Sequence, residues 1–318
     1  MKRFFFIFVF ISFSLCFFAN EKAFIFLNKD FHFIFNDYEK NYQILKKRMY
    51  RDFFEVKENE IAGFISFKME ADKIIAKNKG GLLVADDFLA PVLMKDEGIF
   101  TNKKFKLFTY NVQKSYKFKT YLPIFSVDIE EKILAEEILK IYKKNSKKKD
   151  LSDCAIFINR DYDLPLEVVK YFETKKNKVA VFNSQDSKNK LIELLKNDLN
   201  LKVVVFFAYK NNEIINEIEK KLNKNLVFCE VMTDYGKAKK KVRHRVGIRW
   251  DKAINEGTRS KAFKKFINLK NDKKTITRYI AKNKDVVYTE TNFGEYFKIF
   301  DATSDLKLFN KLFNKGGK

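Results

Sequence analysis

Residues 153–234 read DCAIFINRDYDLPLEVVKYFETKKNKVAVFNSQDSKNKLIELLKNDLNLKVVVFFAYKNNEIINEIEKKLNKNLVFCEVMTD, and this stretch decides the fold. Apolar runs occupy 153–159, 178–183, 201–208 and 225–234. Segments with helical periodicity, 164–176, 187–199 and 212–222, separate them. Pro165 falls in the first turn of the first such segment, where its missing N–H is tolerated. The runs are near-continuous rather than alternating, the pattern of strands buried on both faces. Short strand-to-helix connections then predict βαβ units around a parallel sheet.

The same rhythm extends outward. Upstream, 122–128 is extended and 129–143 is helical, with Ile129, Ile133, Ile138 and Ile141 near helix spacing. Further back, 23–28 (AFIFLN), 81–87 (GLLVADD) and 105–112 (FKLFTYNV) are strand candidates. A weak strand near Phe53–Val56 separates a polar helix through Tyr42, Ile44, Leu45 and Met49 from a second helix at 60–78. Downstream, 244–251 is extended, 252–268 is helical and 286–291 is a last strand. The tail, 306–318, is basic and amphipathic.

Composition sets the outer limits. With 46% hydrophobic and 33% charged residues in 318, the chain is globular rather than disordered. Only 10 Gly and 3 Pro exclude a collagen-like chain and argue against a loop-rich sandwich. The net charge of +23 bears on association: nucleic acid, an anionic membrane surface or an acidic wall polymer would each attract it.

The N-terminus chooses among these. Residues 1–20 read MKRFFFIFVFISFSLCFFAN, with Lys2 and Arg3 ahead of an uncharged apolar run from Phe4 to Phe18. That run suits a signal h-region and is short of the ~20 residues of a membrane span. Ala19 is a candidate last residue of the signal. Phe17, where a small residue is preferred, and Leu15, which spoils a lipobox at Cys16, leave an uncleaved anchor open. The expected location is periplasmic, or anchored on the outer side of the inner membrane. Nucleic acid is then a disfavoured partner.

From about 122 to 268 the order of elements resembles class I periplasmic binding proteins and the effector domains of the lactose-repressor family. SVDIEEKILAEEILKIY resembles the family's crossover, in which an acidic residue opens the first helix of lobe two. VFCEVMTD, ending at Asp234, resembles the last strand of that lobe. VGIRWDKAINEGTRSKAFKKFI resembles the crossing back to lobe one, with Asp251 and the small Gly257 in fitting places. The resemblance implies an α/β fold of two lobes, each a mostly parallel sheet flanked by helices. It places 1–20 as signal or anchor, 21–122 in lobe one with 252–283 returning to it, 123–243 in lobe two, and 284–318 as a C-terminal segment. An export signal in place of a helix-turn-helix disfavours a repressor. The family's lobe-two strand order, 2-1-3-4, implies one strand between Cys154 and Cys229. The two are then roughly 10 Å apart, beyond the ~7 Å Cα limit of a disulfide, so two free, buried thiols are expected.

No G-x-S-x-G, Walker loop, G-x-G-x-x-G or CxxC occurs, and His32 and His244 belong to no metal-spaced cluster. No enzyme activity, metal or cofactor is expected. Asp86 and Asp87, adjacent at a strand end, read as a helix cap plus a solvated charge rather than a catalytic pair. Ligands of open α/β sheets lie beyond the carboxyl ends of the strands. That rule selects Asn28, Lys29, Asp86, Asp87, Tyr110 and Asn111 in lobe one. In lobe two it selects Asn159, Arg160, Asp161, Asn183, Ser184, Tyr209 and Asp234. At the back-crossing it selects Arg249, Trp250 and Asp251. The function expected is an exported solute-binding protein taking a small polar ligand between two lobes, with an ABC-type importer as a further partner. The alternative is an envelope interaction protein of the same fold without a small ligand. Its basic runs, Lys143–Lys149 and Lys237–Arg245, would either form solvated loops or contact anionic lipid or wall polymer.

Overall fold

A computed structural model of the protein describes residues 22–28, 38–53, 55–61, 63–86, 89–94, 104–110, 122–158, 163–173, 180–182, 187–207, 211–222, 224–231, 243–269 and 276–291. The first sheet contains β1 (Lys22–Asn28), β2 (Glu55–Ile61), β3 (Gly80–Val84), β4 (Lys104–Tyr110), β5 (Ile124–Ile129) and β11 (Ile276–Ala281), in the order β11-β5-β4-β3-β1-β2. All its pairings are parallel. The second sheet contains β6 (Cys154–Ile158), β7 (Ala180–Phe182), β8 (Val203–Phe207), β9 (Val227–Val231), β10 (Arg243–Ile248) and β12 (Val287–Thr291), in the order β12-β10-β9-β8-β6-β7. It is parallel except for the β10–β12 pair. Each sheet with its helices forms one lobe.

Strand alternation sends side chains to two differently covered faces. On one face of the first sheet, Ile25, Val84, Phe108, Phe125 and Val127 meet α1 (Tyr38–Asp52), α8 (Trp250–Arg259) and α9 (Lys261–Ile267). On the other, Phe24, Phe26, Leu83, Phe105 and Leu107 meet α2 (Gly63–Lys77) and α3 (Ala90–Met94). The second sheet is covered likewise. Ile156, Val205 and Cys229 meet α4 (Glu131–Asn145) and α5 (Asp163–Glu173). Phe157, Phe206 and Phe228 meet α6 (Ser187–Asn197) and α7 (Asn211–Lys221). Burial on both faces is why the central strands are continuous apolar runs in sequence; each such side chain contributes about 1.5–3 kcal/mol.

Three crossings join the lobes. The chain passes from β5 to α4, returns from β10 to α8, and passes again from β11 to β12. The first follows Ile129 rather than Leu122, because 124–127 pair with β4 on one side and 124–129 with β11 on the other. Asp128 therefore does not open the helix. It is buried within β5, where it accepts from Ser126 Oγ at 2.6 Å and pairs with Arg278 Nη1 at 2.7 Å. The helix expected at 252–268 is two helices. Ser260 separates them and caps the second, accepting from Phe263 N at 3.1 Å.

In the second sheet β8 lies between β6 and β9, the 2-1-3-4 order. Cys154 and Cys229 are free and buried. Burial pushes the Cys154 thiol up to about 12 and Cys229 well above its usual value, so both stay protonated. The basic run through Arg245 is corrected at its C-terminal end: Arg243, His244 and Arg245 are buried in β10 rather than exposed on a loop. Arg243 holds Glu230 on the neighbouring strand through two hydrogen bonds, the Nη2–Oε2 one at 2.7 Å. Lys237–Lys241 lie outside the described residues, as do His32 and the N-terminal apolar run.

Candidate functional site

Because both sheets are essentially parallel, the carboxyl ends of their strands converge on the crossings. Two backbone hydrogen bonds tie the crossings together. Glu130 N donates to Ala281 O at 3.0 Å, and Arg249 N donates to Val286 O at 2.7 Å. Side chains bridge them further. Lys252 pairs with Asp285 at 3.5 Å, Lys284 with Glu136 at 3.3 Å, and Thr289 Oγ1 donates to Glu137 Oε1 at 3.0 Å. These side-chain pairs are largely exposed and each adds ~1 kcal/mol or less.

The back-crossing carries a charged pair. Arg249 is the N-cap residue of α8, and Asp251 lies in that helix's first turn. Their side chains approach to 3.7 Å between Nη2 and Oδ2. Asp251 is 9% exposed, and its Oδ1 is buried without a hydrogen-bond partner among the described residues. An unsatisfied buried acceptor is costly, on the order of 1–3 kcal/mol, and native structures hold few of them. The positive end of α8 favours the negative charge here. Chemically, this is a carboxylate with one acceptor available to a hydroxyl or amine donor, beside a half-exposed guanidinium.

Other residues selected from the sequence have different surroundings. Asp86 is buried at the end of β3, where Oδ1 accepts from Leu89 N at 2.8 Å and its carbonyl accepts from Ala90 N at 2.9 Å. It caps the turn into α3. Tyr110 and Trp250 are 2% and 1% exposed and lie against each other, ring centroids 5.2 Å apart. They form an aromatic contact between the end of β4 and the start of α8. Asn28 ends β1, level with Ile61 of β2. Asp87, Asn159, Arg160, Asp161, Tyr209 and Asp234 lie outside the described residues, as do Lys29, Asn111, Asn183 and Ser184. The structure thus brings Tyr110, Arg249, Trp250 and Asp251 together and places Asp86 in a capping role.

Sequence reasoning passed over β11 and its Arg278, which neutralises Asp128 near the carboxyl end of β5. The pattern ITRYIA alternates without a strongly apolar face, so no hydrophobic run marked it. Among the described residues, no group of three or more His, Cys, Asp or Glu could hold a metal ion, and no helix is long and apolar enough to cross a membrane.

No family model matches the chain, and no curated protein matches it in sequence. Solved structures do match in fold. The transcriptional regulator CelR, in complex with cellobiose, superposes with a TM-score of 0.52 at 10% identity, covering 86% of this chain and 85% of that one. A substrate-binding protein of a sugar ABC transport system from Bordetella parapertussis gives 0.51 at 8% identity, covering 85% and 88%. The fold is that of class I periplasmic binding proteins and lactose-repressor-type effector domains.

Proposed function

We propose that the protein is an exported binding protein that closes two lobes over a small polar solute of the sugar class, rather than an enzyme. The observation that carries this reading is the buried, unpartnered Oδ1 of Asp251 at the back-crossing, beside Arg249. A hydroxyl-rich solute that reaches that oxygen would satisfy it, and closure of the lobes would remove the solute from water. The fold supports the reading, since ligands of open α/β sheets lie beyond the carboxyl ends of the strands, the side on which the crossings lie. Of the two solved structures named above, one is bound to cellobiose and the other belongs to a sugar ABC transport system. The N-terminal sequence supports export, and an ABC-type importer is the partner proposed for a solute-binding protein in that location.

The test is a thermal-shift screen of mono- and disaccharides and other small polar metabolites against the full chain. Trp250 is the only tryptophan and packs at a crossing, so its emission reports lobe closure. A solute of the right class raises Tm and changes that emission. Asp251→Ala then weakens its binding roughly ten- to a hundredfold, the loss of a charge-assisted hydrogen bond of about 1.5–3 kcal/mol. A screen in which no solute moves either signal overturns the reading. An Asp251→Ala variant with unchanged affinity removes that residue from the site.

A further inference from the structure

The end of lobe two farthest from the crossings gathers lysines from separate parts of the chain. Helices in a parallel βα layer run back against their strands, so their C-termini meet the strand N-termini at one edge. Here α4 ends in Lys143 and Lys144, α5 in Lys170, α6 in Lys196, and α7 in Lys220 and Lys221. Contacts between loops join these ends. Asp153 O accepts from Lys202 N at 2.9 Å, and Lys202 O accepts from Val227 N at 2.8 Å. Lys224 Nζ donates to Asp198 O at 3.0 Å, and Asn145 Nδ2 lies 3.2 Å from His244 Nε2.

Lysines in a last helical turn answer the helix dipole and need no further role. Lys147, Lys148 and Lys149 are different. They follow the end of α4, are exposed, and form no ion pair with a described residue. Few acids lie nearby, and of these Asp150 is close enough to feel Lys148 electrostatically. Asp150 accepts from the Ser152 amide and hydroxyl, and Asp153 is buried against Tyr142 and Ser146. Glu167 and Glu217 pair with Lys170 and Lys221.

Lysines alone would fit any polyanion. Two apolar side chains at the same end narrow the choice. Leu199, in the turn between α6 and β8, is 82% exposed, and Tyr171, beside Lys170, is 39% exposed while engaged in a contact of its own. A soluble phosphate or sulfate polymer offers a leucine nothing, whereas a bilayer interface takes up the leucine and the tyrosine while its headgroups meet the lysines. We propose that this end of lobe two docks on an anionic lipid surface. The proposal is independent of the solute site.

The experiment measures binding of the full chain to vesicles of phosphatidylcholine with and without phosphatidylglycerol, at low and high salt. Residues 4–18 are apolar and would associate with either vesicle, so the quantity read is the preference for phosphatidylglycerol. Three variants are compared: Lys147→Glu/Lys148→Glu/Lys149→Glu, Leu199→Ser, and a lobe-one control, Lys47→Glu/Lys73→Glu/Lys77→Glu, with the same change in net charge. Unchanged circular dichroism and Trp250 emission confirm folding. The first triple should lose on the order of tenfold or more of the preference, and high salt should abolish it. The control should lose far less. Leu199→Ser should weaken vesicle binding and leave heparin binding unchanged. Equal losses in the two triples would mean diffuse attraction by net charge and overturn the proposal. So would absence of any phosphatidylglycerol preference. Leu199→Ser that spares both partners, or weakens both alike, would indicate a general polyanion surface and overturn the choice of lipid.

Discussion

At the scale of single residues, the least expected feature is the Arg243–Glu230 pair. Both side chains are buried, at 1% and 0% exposure, on adjacent strands of the second sheet. Burial holds the Glu230 carboxyl above its usual range, with Arg243 opposing that shift only in part. Coulombic attraction in such a site is offset by desolvation of both ions, so the intact pair adds little net stability. Losing one partner is another matter, because the survivor is left charged and buried. Arg243→Ala should therefore destabilise the protein by about 3–5 kcal/mol. Arg243→Met combined with Glu230→Leu should cost much less. Urea denaturation of the three proteins checks this; equal losses in the single and double variants would mean that the residues act separately. None of this was legible in the run KAKKKVRHR, which has the composition of a solvated loop. What buries Arg243 is a partner thirteen residues earlier on the next strand, a fact of register rather than composition.

At the scale of elements, α8 depends on a glycine. A Cβ at Gly257 would lie 2.6 Å from Val127 Cγ2 and 3.2 Å from Tyr279 Cδ1, so the helix lies directly on β5 and β11. Gly257→Ala improves helix propensity yet forces that packing apart. Overpacking of this kind costs about 1–3 kcal/mol, against a propensity gain of about 1. The expected result is a lowered Tm. A raised Tm would mean that the helix has room to move. The small residue was visible in the sequence; its contact with β11 was not, because β11 itself was missed. Both edges of the first sheet were hard to read. On β2, EVKENEI is mostly polar, and on β11, ITRYIA is half-buried through most of its length. Edge strands bury less and carry charges that discourage pairing with other chains, so the apolar signal that reveals central strands fades there.

At the scale of the whole molecule, three crossings join the two lobes, and the proposed export is open to a direct test. Residues 1–22 fused to a reporter should carry it across the inner membrane; a reporter retained in the cytoplasm would remove the export reading and the importer with it. N-terminal sequencing of the mature protein distinguishes cleavage near Ala19 from an uncleaved anchor. The lobes share one continuous apolar cluster that runs from Ile25 and Phe125 in the first sheet to Ile156 and Cys229 in the second. Trp250 and Tyr110 belong to it, which is why the tryptophan sits well to sense lobe motion.

The sequence by itself determined the α/β class, the 2-1-3-4 order of lobe two through its resemblance, the buried state of the two cysteines and the strand ends from which to seek a site. It could do so because burial on both faces writes long apolar runs, and these depend only on local sequence. The tertiary structure alone decided that the first crossing follows Ile129, that Asp128 pairs with Arg278, that Asp86 caps a turn, and that Asp251 keeps an unsatisfied oxygen. Each of these depends on which distant segment lies alongside. Pairing between residues 128 and 278, or a buried oxygen of residue 251 left without a hydrogen bond among the described residues, leaves no trace in local periodicity.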